Sequence, residues 1–461
     1  MRWSLVRAPG CRGLGAFAPR AVALVCALTL QGGAAQAAPP PASLRALAAQ
    51  PALPADPTNR YADDPRAARF GQRLFFEPRF SGALLEGDND GSANTLGLKG
   101  ETGRVSCAGC HVPAAGFSDN RSLGQQASLA AGWTLRRTPS LLDVGRSRLL
   151  HWDGRHDAFW NQIFGPLEHS NEMNSARLFI SEQVFRLHRK EYEALFGPLP
   201  PLGDGVRFPQ LTAERAGCKP QLRAKEICHG VPGDGAEYDG LSPADQLAVT
   251  RVVVNLGKAV EAYLRKLSCG RGRFDAWVAG DESALSEAER RGALLFTGKA
   301  SCVSCHTGPT LSDERFHNVG LFAQTVSVIV SDAGDLGASV GLAQSLADPL
   351  NAVSGFSDAP PLGPSGLGAA EVSPGFPASA GSFRTPKLRC VSKRPSFMHT
   401  AQLRTLDEVV AFFDRGGHPF GYPGKSELKP LGLSAQERGD LVAFLKSLDG
   451  LGPESLLLTP P

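Results

Sequence analysis

Two short motifs of cysteine and histidine are the residues of this 461-residue chain best suited to chemistry. One is Cys107-Ala-Gly-Cys-His111 and the other is Cys302-Val-Ser-Cys-His306. C-x-x-C-H is the attachment signal for c-type haem, in which both thiols bind the porphyrin and the histidine binds the iron. A zinc or redox C-x-x-C would not need the histidine that follows both copies, and an exported chain has little use for a cytosolic-style zinc ribbon. We therefore expect two covalently bound haem c groups, held by Cys107, Cys110, Cys302 and Cys305, with His111 and His306 as iron ligands.

The N-terminus has the features of an export signal. Four arginines (Arg2, Arg7, Arg12 and Arg20) accompany an apolar stretch at 21–30 that is too short to span a bilayer, and Ala35-Gln36-Ala37 resembles a cleavage site. We expect residues 1–37 to be a cleaved signal peptide, the mature chain to be periplasmic, and the Pro/Ala-rich residues 38–60 to be a linker. Cleavage would change the formal charge from +3 to −1, which gives no reason to expect nucleic acid or an anionic membrane as a partner. No later segment has the apolar length of a membrane span.

Four further cysteines remain in the expected mature chain: Cys218, Cys228, Cys269 and Cys390. An even number of cysteines in an oxidising compartment suggests disulfides. Cys218 and Cys228 flank a polar loop, and we expect them to pair with each other. Cys269 would then pair with Cys390 by elimination, and free buried thiols are the alternative.

The elements around these motifs are predicted to be almost all helical. Helix signals occur at Pro65–Phe76, 175–188, 191–196 and from Ser242-Pro243 to Leu267, and Ser286 and Ser434 each precede a glutamate in a capping box. On the Ser242–Leu267 helix the apolar residues expected near one face are Leu247, Val252, Leu256, Ala259, Tyr263 and Leu267. The Gly-, Ala-, Ser- and Pro-rich segment 320–382 is interpreted as a long surface loop.

An internal repeat connects the helices to the motifs. Arg69-Phe-Gly71, Leu74-Phe75 and Cys107 correspond to Arg291-Gly292, Leu295-Phe296 and Cys302. A repeat of this kind indicates two similar units in tandem. We predict a mainly α fold of two cytochrome c-like haem domains with long irregular loops, at residues 61–280 and 281–461.

Several further motifs occur in the order known from one family. They are Leu74 to Ser81, Gly116-Phe-Ser-Asp119, Arg137-Thr-Pro-Ser140, Trp152-Asp-Gly-Arg155, Phe316-His-Asn318, Phe383-Arg-Thr-Pro386 and Thr405-Leu-Asp-Glu408. Each is weak alone, but in this order and with two C-x-x-C-H motifs they are specific. From Asp63 to about Gly450 the sequence resembles the bacterial di-haem cytochrome c peroxidase family, which includes the MauG-type enzymes.

The resemblance implies a role for each haem and for three side chains. The haem on His111 would be the peroxide site, and the haem on His306 would store or relay the second oxidising equivalent. Trp152 matches the tryptophan between the haems, and Gln162 and Glu172 match residues of the distal pocket. For Trp152 the alternative is an ordinary core aromatic.

Glu172 would carry a proton between the two peroxide oxygens as their bond breaks. A carboxyl over an apolar haem face favours its neutral form, which would raise its pKa. The alternative for Glu172 is a surface carboxylate at a helix start, because Asn174 and Ser175 are good N-cap residues. Arg155 would pair either with a haem propionate or with Asp153.

The sequence departs from the family at the iron ligands. No histidine stands between His111 and His151, so we expect an open coordination position on the first haem, with His151 and His169 as unmatched substitutes. Phe413 occupies the position of the far ligand of the second haem and cannot bind iron. Met398 is the candidate replacement, His399 and His418 are others, and a vacant position is equally credible. Axial-ligand identity would set the potential of this haem.

The third departure concerns calcium. The family's inter-haem calcium takes an Asn side chain just before Thr-Pro, where this chain has Arg137. A guanidinium cannot coordinate a cation, although it could occupy the same place electrostatically. We therefore lean against calcium.

The resulting hypothesis is a periplasmic di-haem peroxidase that reduces hydrogen peroxide with electrons from a small c-type cytochrome or a cupredoxin. A MauG-like enzyme that uses peroxide to oxidise residues of a partner protein is one alternative. A non-enzymatic electron carrier or peroxide sensor is another, and the match at Gln162 and Glu172 argues against it. The oligomeric state is left open, with a dimer as one option.

Overall fold

The computed structural model describes residues 40–121, 127–217, 236–322, 334–359 and 380–461, and these are mainly helical, as predicted. The helices are α1 (Ala42–Ala48), α2 (Pro65–Phe75), α3 (Cys107–Cys110), α4 (Phe159–Gln162), α5 (Phe164–Glu168), α6 (Arg177–Leu187), α7 (Arg189–Phe196), α8 (Ala236–Asp239), α9 (Pro243–Leu264), α10 (Arg273–Val278), α11 (Glu287–Thr297), α12 (Ala338–Ala347), α13 (Leu406–Asp414) and α14 (Ala435–Ser447). The strands are β1 (Ser128–Leu129), β2 (Trp133–Thr134), β3 (Phe316–His317) and β4 (Phe383–Arg384). They pair as two antiparallel ladders, β1 with β2 and β3 with β4. The predicted signal peptide lies outside the described residues.

Helix α9 is the centre of the first hydrophobic core. The Ser242 hydroxyl accepts a hydrogen bond from the Asp245 peptide N–H, and Pro243 occupies the first turn, so the predicted start is confirmed. The helix ends at Leu264, and α2, α4 and α6 pack against it. Leu247 was predicted to face the core but is 51% exposed, because it precedes the buried stretch that begins at Val249. The other predicted core residues of this helix and its C-terminal extension are buried.

The second core is built around α11 and α14. Both helices begin with the predicted capping boxes: Ser286 accepts from the Glu289 N–H, and Ser434 accepts from the Glu437 N–H. Each glutamate in turn accepts from the peptide N–H of its serine. These reciprocal bonds satisfy two otherwise unpaired donors at each helix start.

Glycines in the first internal repeat let helices approach closely. A methyl group at Gly71 of α2 would lie 1.9 Å from the Ala259 carbonyl oxygen of α9. A methyl group at Gly292 of α11 would lie 2.0 Å from the Asp440 carbonyl oxygen of α14. The repeated glycine therefore serves the same helix-on-helix contact in both cores.

The segment predicted to be a linker is partly structured. Residues 42–48 form α1, and Leu44 and Leu47 are fully buried in the second core. Conversely, a residue near the C-terminus contacts the first core. The Leu457 carbonyl accepts a hydrogen bond from the Tyr263 hydroxyl of that core (2.6 Å). The linker interpretation therefore fails for α1, whose two leucines gain free energy by leaving water. The domain boundary at 280 stays a prediction.

A second internal repeat, which the sequence analysis did not identify, relates segment 137–156 to segment 384–403. Each segment opens with Arg-Thr-Pro and contains a one-turn 3-10 helix, at Val144–Arg146 and Val391–Lys393. A residue in the left-handed conformation directly precedes each 3-10 helix, Asp143 (φ 57°) in the first segment and Cys390 (φ 54°) in the second. Eight residues later each segment has another such residue, His151 (φ 65°) and Met398 (φ 66°). Antiparallel bridges then close both segments, Leu150 with His156 and Phe397 with Leu403. In this alignment Arg137 corresponds to Arg384, and Trp152 corresponds to His399.

The cysteine predictions have different outcomes. Cys269 and Cys390 form a disulfide, so that pairing is confirmed. Cys218 and Cys228 lie outside the described residues, and their pairing stays a prediction. In the part of the chain that the structure describes, no helix is both long enough and apolar enough to cross a bilayer.

Candidate haem-binding and peroxide site

The first C-x-x-C-H motif folds as a single helical turn. Ser106 caps α3 by accepting a hydrogen bond from the Gly109 N–H (3.1 Å). The Nδ1 atom of His111 lies 3.2 Å from the Phe117 carbonyl and 3.0 Å from the Pro139 carbonyl. Burial lowers the pKa of His111 to about 4, so the ring is neutral at pH 7. With the proton on Nδ1, the lone pair of Nε2 is available to iron.

The second motif repeats this arrangement. The Nδ1 atom of His306 lies 2.9 Å from the Leu311 carbonyl, and burial lowers the pKa of this histidine to about 4. Each histidine also has a phenylalanine of the first repeat beside it. The ring centroids are 6.5 Å apart for Phe75 and His111 and 6.4 Å apart for Phe296 and His306. Both motifs thus present a neutral, oriented imidazole.

All four cysteines of the two motifs are free thiols, although a disulfide forms elsewhere in the described chain. Burial raises the pKa of Cys107, Cys110 and Cys302 to about 12, so these thiols are neutral. An apolar cavity adjoins Cys107, and its lining is Leu74, Phe80, Cys107, Ile163, Leu167, Met173, Leu256 and Val260. Two free thiols, an oriented histidine and an apolar cavity fit a covalently attached haem at the first motif. The second motif has the same thiols and histidine.

The two predicted distal-pocket residues are each adjacent in the sequence to a residue that lines this cavity. Gln162 ends α4 directly before the lining residue Ile163, and Glu172 directly precedes the lining residue Met173. Burial raises the pKa of both Cys107 and Cys110, and the negative charge of Glu172 raises it further.

Glu172 is not at a helix start, and neither predicted cap residue acts there. Helix α6 begins at Arg177 with Ala176 as its N-cap residue. Asn174 instead uses its amide to donate to the Ala83 carbonyl (2.8 Å). The alternative interpretation of Glu172 as a helix-start carboxylate therefore loses its structural basis.

Trp152 lies at the contact between the two copies of the second repeat. Its indole N–H donates to the Arg137 carbonyl (2.7 Å). The Arg137 N–H donates to the His399 carbonyl (2.7 Å), and the Arg384 N–H donates to the Trp152 carbonyl (2.7 Å). The repeat pairs Arg137 with Arg384 and His399 with Trp152, so each of these last two bonds corresponds to the other. The two copies are therefore related by a local two-fold axis. The rings of Trp152 and His399 meet edge to face at 6.3 Å, and His399 stacks on Phe383 at 3.6 Å.

His399 was considered only as an iron ligand, and its position beside Trp152 was missed. The signal was present in the sequence, because Arg-Thr-Pro occurs before both residues at the same spacing. The pairing of the two copies itself depends on tertiary structure.

Segment 320–382, which was predicted to be a long surface loop, contains helix α12. This helix packs against Asp153, the residue after Trp152. Gly341 of α12 lies so close to Asp153 that a methyl group would be 2.3 Å from the Asp153 carbonyl oxygen. Arg136 forms ion pairs with Asp335 (2.7 Å) and with Asp153. Burial of Leu342 explains why this glycine- and alanine-rich stretch is ordered as a helix.

Arg155 has Asp153 as its partner, at 3.2 Å. The sequence left a choice between Asp153 and a haem propionate, and the described contacts include Asp153. A role for Arg155 toward a haem stays a prediction.

The residues considered for the remaining coordination positions of the two haems lie in several elements. Phe413, which cannot bind iron, is on α13, and the candidate Met398 is half-buried in a left-handed turn. The Nδ1 atom of His418 accepts a hydrogen bond from the Phe322 N–H (2.9 Å), which leaves the proton of the neutral ring on Nε2. His169 is exposed, and the ring of His151 packs against that of His156 at 5.2 Å. Met398 therefore stays the predicted ligand.

Comparison with known proteins agrees with the geometry. Residues 65–216 match the model of the family described as di-haem cytochrome c peroxidase. The chain is 29% identical to cytochrome-c peroxidase IdrP1 of Denitromonas iodatirespirans, over 94% of both chains. It is 27% identical to the methylamine utilization protein MauG of Methylorubrum extorquens, over 83% of this chain and 78% of that protein.

A solved structure shares the fold. The diheme peroxidase BthA of Burkholderia thailandensis aligns with a TM-score of 0.58 at 22% identity, over 86% of this chain and 89% of that chain. Residues 65–216 thus match the di-haem cytochrome c peroxidase family, and most of the chain is similar to cytochrome-c peroxidases and to MauG.

Proposed function

We propose that this chain is a periplasmic di-haem c-type peroxidase that reduces hydrogen peroxide to water. Its electrons would come from a small c-type cytochrome or a cupredoxin. The observation that supports the proposal is the position of Glu172 directly before Met173, which lines the apolar cavity beside Cys107. A protein that only carries electrons has no use for a proton donor at that place.

The residues of the chain divide the work of binding and proton transfer. The four motif cysteines and the imidazoles of His111 and His306 would hold the two haems, and each bound haem supplies an iron that exchanges electrons. Reduction of one peroxide to two waters consumes two protons and two electrons. The Glu172 carboxyl would donate a proton to one peroxide oxygen and regain it, while the Gln162 amide would orient the peroxide by hydrogen bonding.

Trp152 supports the second part of the proposal, which is electron transfer between the two sites. Its indole N–H donates a hydrogen bond to the Arg137 carbonyl. Two residues further along the chain, the Pro139 carbonyl is 3.0 Å from Nδ1 of His111. On its other side Trp152 meets His399 of the C-terminal half. We propose that electrons pass from the His306 site to the His111 site through this contact.

A MauG-like activity is the second candidate. It is favoured by the sequence, because no histidine stands between His111 and His151 and that segment therefore offers no imidazole to cap a haem at the first motif. An uncapped haem would react with peroxide without prior reduction of the second haem. Oxidation of a partner protein would then replace turnover of a small donor. We propose no calcium for either activity.

The test is peroxide consumption by the purified holoprotein with reduced mono-haem cytochrome c as the donor. Glu172→Gln removes the proton-transfer function and keeps the size of the side chain. Glu287→Gln is the matched control, because that carboxyl is 94% exposed on α11. We expect rapid turnover in the wild type and the control, and a loss of about 100-fold or more in Glu172→Gln, the range for a removed acid–base group.

The other outcomes are equally informative. If peroxide oxidises the haems but no variant turns over the donor, the peroxidase proposal is wrong and the MauG-like activity replaces it. If peroxide leaves both haems unchanged, the protein is an electron carrier. If Glu172→Gln turns over as fast as Glu287→Gln, Glu172 has no role in proton transfer.

A further inference from the structure

Arg137 is a buried cation without a buried anion. Its side chain is 2% exposed, and Nη2 donates to the Ser118 hydroxyl (2.5 Å). The Nε atom has no hydrogen-bond partner, and no carboxylate in the described chain forms an ion pair with it. The backbone of Arg137 is held by its hydrogen bonds with His399 and Trp152.

The second repeat shows which partner is missing. The corresponding residue Arg384 forms an ion pair with Glu314 (2.9 Å). The surroundings also correspond, since Ser118 donates to the Thr138 carbonyl and Ser312 donates to the Thr385 carbonyl.

In the first copy, Gly116-Phe-Ser-Asp-Asn120 stands in place of Thr310-Leu-Ser-Asp-Glu314. The counter-ion of the second copy is thus replaced by neutral Asn120. The Asp119 carboxylate, one residue earlier, is engaged by Arg121 (3.5 Å). In the described chain, the first copy therefore lacks the ion pair that Arg384 forms in the second copy.

A second, half-buried arginine increases the positive charge. The Nη2 atom of Arg394 donates to the Lys387 carbonyl (2.7 Å), while its Nε atom has no partner. Burial lowers the pKa of Arg137, the charges of Arg394 and Arg404 lower it further, and the charge of Asp119 opposes them. Burial also lowers the pKa of Arg394, which the charges of Asp143 and Asp449 oppose. Burying a charge without an ion-pair partner is unfavourable, so a bound anion would stabilise Arg137.

The position of the pair identifies the anion. Arg137 lies near the first C-x-x-C-H site, because the carbonyl of Pro139, two residues further on, is 3.0 Å from Nδ1 of His111. Arg394 lies near the same region, because its neighbour Lys393 is 3.2 Å from the position that a methyl group at Gly116 would take. Haem carries carboxylates on its propionate side chains. We propose that Arg137 and Arg394 form an anion site that binds propionate carboxylate of the bound haem. This inference depends on the proposed di-haem function, because it needs haem at these motifs.

The test is the midpoint potential of each haem in the holoprotein, measured from pH 5 to pH 9. Arg137→Gln removes the charge and keeps a hydrogen-bonding group, Arg137→Lys keeps the charge, and Arg415→Gln on the exposed surface is the control. We expect Arg137→Gln to lower a midpoint potential, because a nearby cation favours the reduced iron. We also expect that potential to become pH-dependent near neutrality, because a propionate without its counter-ion titrates there. Arg137→Lys and Arg415→Gln should resemble the wild type.

Three results would overturn the inference. One is an unchanged potential and pH profile in Arg137→Gln. Another is a wild-type potential that shifts saturably with added phosphate or chloride, because a free anion would then fill the site. The third is an Arg137→Lys variant that behaves like Arg137→Gln, because position rather than charge would then matter. Haem content separates the proposals, since a preparation without covalent haem contradicts the proposed function instead. The anion titration uses the wild type and stays decisive if a variant fails to fold.

Discussion

The repeated glycines Gly71 and Gly292 allow a test of how closely the core helices pack. Alanine is the better helix former by about 0.5–1 kcal/mol, so a Gly→Ala change inside an unpacked helix should stabilise the protein. At Gly71 and Gly292 the new methyl group would lie 1.9 Å and 2.0 Å from backbone carbonyl oxygens of the facing helices. A backbone cannot rotate away as a side chain can. The helices must therefore separate, at an overpacking cost of about 1–3 kcal/mol or more.

The expected net effect is destabilisation by about 1–2 kcal/mol in each variant. Gly439 is the matched control, because it lies within α14 and a methyl group there would have no atom within 4 Å. The same substitution should stabilise by about 0.5–1 kcal/mol at that position. For a unit of 150–250 residues, 1 kcal/mol corresponds to a change of about 2–4 °C in the unfolding temperature.

Thermal unfolding followed by far-ultraviolet circular dichroism measures these shifts. We expect Gly71→Ala and Gly292→Ala to unfold below the wild type and Gly439→Ala to unfold above it. The absorbance of the holoprotein should report loss of the haem environment at the same temperatures. If the two core variants are as stable as Gly439→Ala, close helix contact is not the reason for these glycines.

Three further outcomes are expected. Replacing both Cys269 and Cys390 by alanine should lower the free energy of unfolding by up to about 5 kcal/mol, from the entropy of a loop with a sequence separation of 121, and an unchanged denaturation midpoint would contradict this. Burial raises the pKa of Glu182 to about 7, so its contribution to stability is complete below the ordinary glutamate pKa and is lost as the pH rises to about 7. Glu182→Gln should therefore unfold at a higher denaturant concentration than the wild type at pH 8 but not at pH 4, and parallel pH profiles would refute the assignment. Trp152→Phe removes the donor to the Arg137 carbonyl, and stopped-flow spectra should show inter-haem electron transfer slowed by about tenfold or more with both resting haem spectra unchanged; an unchanged rate would exclude this route.

The sequence alone determined what depends on local chemistry. Each C-x-x-C-H motif needs only five consecutive residues to state which atoms bind a haem. Helix starts at Ser242, Ser286 and Ser434 were predictable because a capping side chain and its partner lie within one turn. The low strand content and the family resemblance were also predictable, because they depend on short motifs that can be recognised in the sequence.

Tertiary structure decided what depends on residues far apart in the chain. Leu44 and Leu47 appear in a Pro/Ala-rich stretch that resembles a linker, and only the second core shows that they have a surface to cover. The sequence around Gly341 predicts a loop, and only the tertiary structure shows that it packs against Asp153 and Arg136. Trp152 and His399 meet because two copies of one motif pair about a local two-fold, and the missing anion at Arg137 becomes visible only beside the ion pair of Arg384. Burial and charge compensation are sums over neighbours from distant segments, so they are fixed by the fold and not by the order of residues.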